Sequence, residues 1–270
     1  MTSDLDLTGR SLLAVFAHPD DESLACGGLL AWCAARGARV SLLCCTRGEH
    51  GGTGPRVEGR GARADLGELR SRELEAAARV LGVTDVLLLD HEDGMLPWVD
   101  AAALESDIRD AIRQRGPDVV ITFGEDGLYW HPDHIAVHER TTAAVAALGA
   151  DAPALYYVTL PPGRMRAVAD AVATRTPVGQ PPPAILGIND VDAFGALAAA
   201  PTLVVEAGEF APRKLAAIRC HRTQLANDAL DLLSEAEAVR LLGTEHFRRA
   251  AVGSTRDAFI ERLAHARSPA

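Results

Sequence analysis

The stretch SLLAVFAHPDDESLACGG, residues 11–28, decides the architecture. Its first seven residues form a short, nearly unbroken apolar run, which reads as a strand buried on both faces of a parallel sheet. Residues 22–36 then have helical character and stop at Gly37. Between the two lie His18, Pro19 and three acids in a row, Asp20, Asp21 and Glu22. Three adjacent carboxylates repel one another. Pro19 holds His18 out of the helical region, so Asp20 and Asp21 fall at or near the start of the helix. Free backbone N–H groups and the positive end of the helix dipole stabilise negative charge there. That offsets part of the repulsion, and a divalent cation would offset the rest. Plain N-capping also places aspartates ahead of a helix, so the stretch alone leaves both readings open.

The alternation continues along the chain. RVSLLCC (39–45), DVLLLD (85–90) and DVVITF (118–123) read as further buried strands. ELRSRELEAAARVLG (68–82) and residues 100–115 read as amphipathic helices. The β-α-β-α-β-α-β order predicts an α/β fold with a Rossmann-like, doubly wound, mostly parallel sheet. TRGEHGGTGPRVEGRGARADLG (46–67) is rich in Gly and Arg and reads as a long loop, whose length suits it to covering a site. Beyond Tyr157 the pattern loosens. The expected division is a single domain, 1–270, with an α/β core over 1–157 and an irregular, proline-marked insert over 158–200. A C-terminal strand and helices fill 201–270: TLVVEA (202–207) reads as the strand, and 213–228 and the residues from about 236 onward as helical.

Composition narrows the function classes. A chain of 270 residues, 48% hydrophobic, suffices for one large core. No apolar run approaches the roughly 20 residues of a membrane span, and the acidic start MTSDLDLTGR does not read as a signal peptide. Cys26, Cys33, Cys44 and Cys45 fall in expected strand or helix without a CxxC pair, which points to reduced, packed thiols and a cytoplasmic protein. A net charge of −10 with no Lys/Arg run argues against a nucleic-acid partner. No GxSxG elbow is present and no GxGxxG follows the first strand, so serine-hydrolase and dinucleotide-binding chemistry lack their central features.

A second segment, HPDH (131–134), follows the strand ending at Phe123 by way of a loop. Parallel sheets place ligand sites beyond the carboxyl ends of their strands, so both HPD segments belong on one edge. One imidazole and one carboxylate from the first segment, with one imidazole from the second, make a three-ligand set. Such a set with an open position is the pattern of a catalytic zinc that makes a water acidic enough to attack a carbonyl. The remaining aspartate is then available as base. The plain readings are a solvated HxxH pair and, for His134 and His138 at i, i+4, an exposed helix face or a two-histidine metal pair. His50, in the Gly-rich loop, reads first as a solvated histidine and second as a substrate contact. His221 sits in a stretch read as helix, either beside a site residue or as an ordinary helix-face histidine.

AHPDDE followed by HPDH resembles the LmbE-like, or PIG-L, zinc-dependent N-acetylglucosaminyl deacetylases. TRGEHG, RSREL, EDGML and KLAAIRCHRTQ are similar to further elements of that family, and the likeness covers most of 11–148 and roughly 205–250. The resemblance implies metal ligands at His18, Asp21 and His134, with Asp20 as general base. It implies His131 as proton donor or electrostatic stabiliser, Asp133 as the group orienting it, and Tyr129 as a donor to the acetyl oxygen. Arg70 and Asp93 would hold sugar hydroxyls. Zn²⁺ is the implied cofactor, and Fe²⁺ fits a two-histidine, one-aspartate site as readily. The expected reaction removes the N-acetyl group from a small-molecule N-acetylglucosaminyl conjugate. The alternatives are an amidase cleaving a larger acyl group, of mycothiol S-conjugate type, and a homologue that binds metal or sugar without catalysis. No membrane partner is implied, and a homo-oligomer is compatible with the reading. Trp130 departs from the family, which has a small residue there; it would narrow the site, form an aromatic wall, or pack against the scaffold. Residues 161–189 match no family element.

Overall fold

Strand β1 (Ser11–Phe16) is buried along its whole length and is an interior strand, third from one edge, of a seven-stranded sheet. β2 (Arg39–Thr46) and β3 (Asp85–His91) extend the sheet on one side, and β4 (Val119–Phe123) and β5 (Ala154–Val158) on the other. All four contacts among these five strands are parallel. β6 (Leu203–Glu206) and β7 (Thr244–Gly253) complete the order β3-β2-β1-β4-β5-β7-β6, with β7 antiparallel to both of its neighbours. The computed structural model describes residues 5–52, 62–176 and 181–265. The crossovers are α1 (Asp21–Ala35), α2 (Ala62–Leu81) and α3 (Ala101–Arg115), followed by the short distorted α4 (Gly127–Trp130) and α5 (Pro132–Ala146). α6 (Arg164–Val172), α7 (Ala211–Ile218) and α8 (Glu235–Leu242) belong to the second half. No helix among the described residues is long and apolar enough to cross a membrane.

From β1 the chain winds outward to β2 and β3, then returns to β4 on the opposite side. The connections leaving β1 and β4 therefore diverge, and a crevice opens beyond their carboxyl ends. Phe16 and Phe123, the last residues of these two strands, meet edge to face at 4.9 Å.

Three expectations are corrected. α2 starts at Ala62, so the expected loop gives way to helix before residue 68; Ala and Arg are good helix formers, and Gly67 is tolerated in the interior. Residues 53–61 of that loop lie outside the described residues. α7 stops at Ile218, which puts His221 on a turn before the 3₁₀ segment Arg222–Gln224. After α8 the chain forms the ten-residue strand β7, where helix was expected. Its inward alternation is Glu245 then Phe247, and an inward acid breaks the apolar pattern that marks a strand.

Glu245 has a structural reason to be inside. α1 leaves helical geometry at Cys26 (φ −148, ψ 21), which frees N–H groups one turn on. Glu245 Oε1 accepts from Gly28 N at 2.8 Å and from Lys214 Nζ at 2.7 Å, and Oε2 accepts from Leu29 N at 2.8 Å. A Cβ at Gly28 would lie 2.9 Å from Ala207 Cβ and 3.0 Å from Glu245 Oε1, so only glycine admits this approach. The sole lysine of the chain is thus a buried counter-ion that joins α7 to α1 through β7. Removing one partner of a buried, hydrogen-bonded ion pair leaves the other charge uncompensated, at about 3–5 kcal/mol. Glu245→Ala should lower the unfolding free energy by that amount in urea titrations. A loss below about 1 kcal/mol would show that the pair contributes little to the fold.

Candidate active site

His18 lies two residues past β1, and Asp133 and His134 lie in the first turn of α5, which follows β4. The two HPD segments therefore meet at the crevice, as the topology requires. Pro132 takes the first turn of α5, where its missing N–H costs nothing. Asp20 occupies the N-cap position of α1, yet its side chain makes no capping hydrogen bond. Its carboxylate is free for other contacts, so capping does not account for it. The Asp21 Oδ2 accepts the His18 N–H at 2.7 Å.

Three ligand atoms converge. His18 Nδ1 lies 3.2 Å from His134 Nε2 and 3.5 Å from Asp21 Oδ2, and His134 Nε2 lies 3.2 Å from Asp21 Oδ1. Bonds of about 2.0–2.2 Å in a tetrahedral zinc site set ligand atoms roughly 3.3–3.6 Å apart, close to these separations. Hydrogen bonding on the far side of each ring sets its tautomer. His134 Nδ1 faces the Gly127 carbonyl at 3.0 Å, which leaves a lone pair on Nε2. Gly127 has φ 53, and a Cβ there would press on His134 Cβ at 3.0 Å. The His134 ring is also stacked on Phe123 at 4.0 Å. His18 Nε2 faces Asp133 Oδ2 at 3.0 Å and Asp93 Oδ1 at 3.1 Å, which turns the Nδ1 lone pair inward. Two lone pairs and a carboxylate facing one another call for a cation, and imidazole with carboxylate suits a divalent transition metal. A proton answers the same need: burial pushes the His18 pKa down, but hydrogen bonds to Asp133, Asp21 and Asp93 carry it well above the usual imidazole range. His18, His131 and His134, and also His18, Asp93 and Asp133, bring ligand atoms within 4.8 Å. In the second group Asp133 is already held by the N–H groups of Gly94 (2.8 Å) and Leu96 (3.1 Å), and Asp93 by that of His50 (2.9 Å). Those carboxylates are better placed to orient His18 than to bind an ion.

The other expected residues gather here too. Asp20 Oδ2 accepts from Arg70 Nη2 at 3.1 Å. Burial pushes the Asp20 carboxyl up to about 7 against the pull of Arg70. Arg70 is buried and also donates to the Gly48 and Pro19 carbonyls, each at 2.7 Å, so its guanidinium is largely committed to the protein. Tyr129 and His131 line the same cavity, of about 410 Å³, with His18, Asp20, Arg70 and Asp93. Burial, then repulsion by Asp21 and Asp20, keeps the Tyr129 phenol neutral by raising its pKa.

Asp133 reaches His131 through its backbone and not through its side chain. Its carboxylate contacts His18 and not His131. What holds the His131 ring is the Asp133 backbone N–H, which donates to Nδ1 at 3.2 Å. That bond leaves the His131 proton on Nε2. Burial, then the neighbouring His134 and His18, lower the His131 pKa to about 4, so the ring is neutral at pH 7. Trp130 is 48% exposed, neither packed on the scaffold nor part of the cavity lining. His138 donates to the Phe123 carbonyl at 2.9 Å and takes no part in a metal pair with His134.

Sequence reasoning missed part of the wall. His50, expected in solvent, lines the cavity, as do Gln224, Leu186, Gly187 and Ile188. The turn at 185–188 is pinned by Asp228, whose carboxylate accepts from the N–H groups of Leu186 and Leu230. Only the family-like HRTQ run signalled Gln224; the others carried no local signal. The site geometry makes Asp133→Asn informative. It weakens the acceptor that orients His18 while keeping volume. Zinc affinity should fall about 10–100-fold, read by competition with a chromogenic chelator, and unchanged affinity would contradict the orienting role.

Comparison with known proteins follows the same lines. Residues 13–145 match the family described as PIG-L, GlcNAc-PI de-N-acetylase. A 1D-myo-inositol 2-acetamido-2-deoxy-alpha-D-glucopyranoside deacetylase of Acidothermus cellulolyticus is 35% identical over 260 residues, spanning 88% of each chain. Among solved structures, the N,N'-diacetylchitobiose deacetylase of Pyrococcus horikoshii superposes with a TM-score of 0.62 at 20% identity, over 92% of this chain and 88% of that one. GalB, the 4-carboxy-2-hydroxymuconate hydratase of Pseudomonas putida, also superposes at 0.62 and 20% identity, over 92% and 99%. The structural likeness establishes the fold alone, since it is shared by a hydratase. The likeness in sequence, carried across nearly the whole chain, goes further: this protein belongs to the PIG-L, or LmbE-like, family.

Proposed function

We propose that the protein is a metal-dependent N-deacetylase acting on an N-acetylglucosaminyl conjugate. The observation that carries this reading is the convergence of His18 Nδ1, Asp21 and His134 Nε2 beside an aspartate that caps no helix. These three would hold a divalent cation, Zn²⁺ first, which would supply a Lewis acid and acidify a water to near neutral pH. Asp20 then accepts the proton of the attacking water and returns it to the departing amine; a carboxyl near 7 suits both directions. Arg70 keeps that carboxylate in place and limits its basicity. Neutral His131, with its proton on Nε2, donates to the amide oxygen as negative charge develops, and the Tyr129 phenol adds a second donor on the same cavity. Asp93, on the cavity wall, is the acceptor for a sugar hydroxyl, with Arg70 beside it. Support for the substrate class comes from relatives named for an N-acetylglucosaminyl-inositol compound.

Leu186 and Ile188 give the cavity one apolar side, which keeps an amide with a larger acyl group as a second reading. A panel of N-acetyl and longer N-acyl glucosaminides separates the two by relative kcat/KM. Zinc-loaded wild type should release acetate from at least one N-acetylglucosaminide. Asp20→Asn should lower kcat about 10²–10⁴-fold with bound zinc unchanged. Dialysis against a chelator should abolish turnover, and added Zn²⁺ should restore it. Acetate release unaffected by both treatments would remove the metal-and-base mechanism.

A further inference from the structure

The carboxylate assigned as base stands on strained backbone. Asp20 has φ 121 and ψ −27, in the left-handed region that favours glycine. Such a conformation persists only where surrounding contacts over-determine it. On one side, Arg70 holds the Pro19 carbonyl and the Asp20 carboxylate. On the other, the Asp20 N–H donates to Glu22 Oε2 at 3.1 Å. Glu22 is fully buried. Its Oε1 accepts from Ser23 Oγ at 2.5 Å and lies 2.9 Å from Nε2 of His221, a residue 199 positions along the chain.

His221 is itself fully buried and is not part of the cavity lining. Its Nδ1 has no hydrogen-bond partner among the described residues, so Glu22 and, at 3.4 Å, Ser23 are the polar contacts of the ring. Burial pushes its pKa down, but the Glu22 charge and hydrogen bond carry it above the usual value. Without the imidazole on Oε1 the buried carboxylate would have to shift toward another donor, and a shift would loosen the bond that its Oε2 accepts from the Asp20 N–H.

We propose that His221, acting through Glu22, is a positioning residue that locks the Asp20 backbone in the left-handed conformation from which its carboxylate meets the cavity. The consequence for turnover rests on the reading of Asp20 as base given above; the consequence for the Asp20 backbone does not. Asp20 neither binds the metal nor binds the sugar in that reading, so the defect should fall on kcat alone.

His221→Phe removes the donor while filling the space, and His221→Gln keeps a donor. In the Phe variant a crystal structure should show Asp20 relaxed to negative φ, kcat should fall about 10–100-fold, and KM and zinc content should match wild type. The Gln variant should recover most of kcat and the left-handed φ. Asp20 remaining near φ 120 in the Phe variant overturns the proposal, as does an equal kcat loss in both variants or a loss confined to KM. Should the Phe variant fail to fold, the isosteric Glu22→Gln decides instead: lowered kcat at unchanged KM supports the lock, and wild-type kcat overturns it. If wild type proves inactive on every glucosaminide, the functional reading falls, and the Asp20 φ in the variants still decides the positioning claim.

Discussion

Everything in the molecule depends on a strand buried on both faces whose neighbours are reached by crossovers running in opposite directions. β1 cannot expose an edge or a polar face, so its polar residues are displaced to its carboxyl end. There β4 ends as well, and the divergence of the two connections leaves room that side chains of both must fill. The chain fills it with imidazoles and carboxylates. Once buried, those groups must be paired, protonated or joined to an ion, because low polarity makes an uncompensated charge too costly.

The three consecutive acids show how that constraint is met. Each takes a different partner from a different part of the chain. Asp21 faces His18 and His134, Asp20 faces Arg70 of α2, and Glu22 faces His221 from beyond α7. Their mutual repulsion is resolved by spreading them over three directions, which needs the abrupt backbone turn at Asp20. Two further acids, Asp93 and Asp133, are used on the outer nitrogen of His18. The acids gathered at the crevice are thus a set of individually compensated charges around a centre that calls for positive charge.

The same frame serves other chemistry, as the superposed hydratase shows. Function lies in which side chains the crevice receives, and the family assignment rests on those residues and on likeness along the chain. The wall formed by the 185–188 turn and Gln224 comes from the second half, joined to the core by Thr223, which donates to Glu73 of α2 through N–H (3.0 Å) and Oγ1 (2.6 Å).

The sequence by itself determined the first four strands' character, the placement of both HPD segments past buried strands, and the kind of chemistry they can support. Apolar runs and helix stops act locally, so their signal is local too. It did not determine β7, because an inward Glu245 looks wrong for a strand until Lys214 and the kinked α1 stand beside it. Nor did it place His50 or the 185–188 turn on the cavity, or show that the Asp133 carboxylate serves His18 and leaves His131 to its backbone N–H. Those outcomes are decided by which polar groups find partners across the folded chain, over separations of up to 217 residues, and no local pattern encodes such a meeting. Tertiary structure alone settles it, because a buried donor or acceptor must be satisfied by whatever the fold brings within reach.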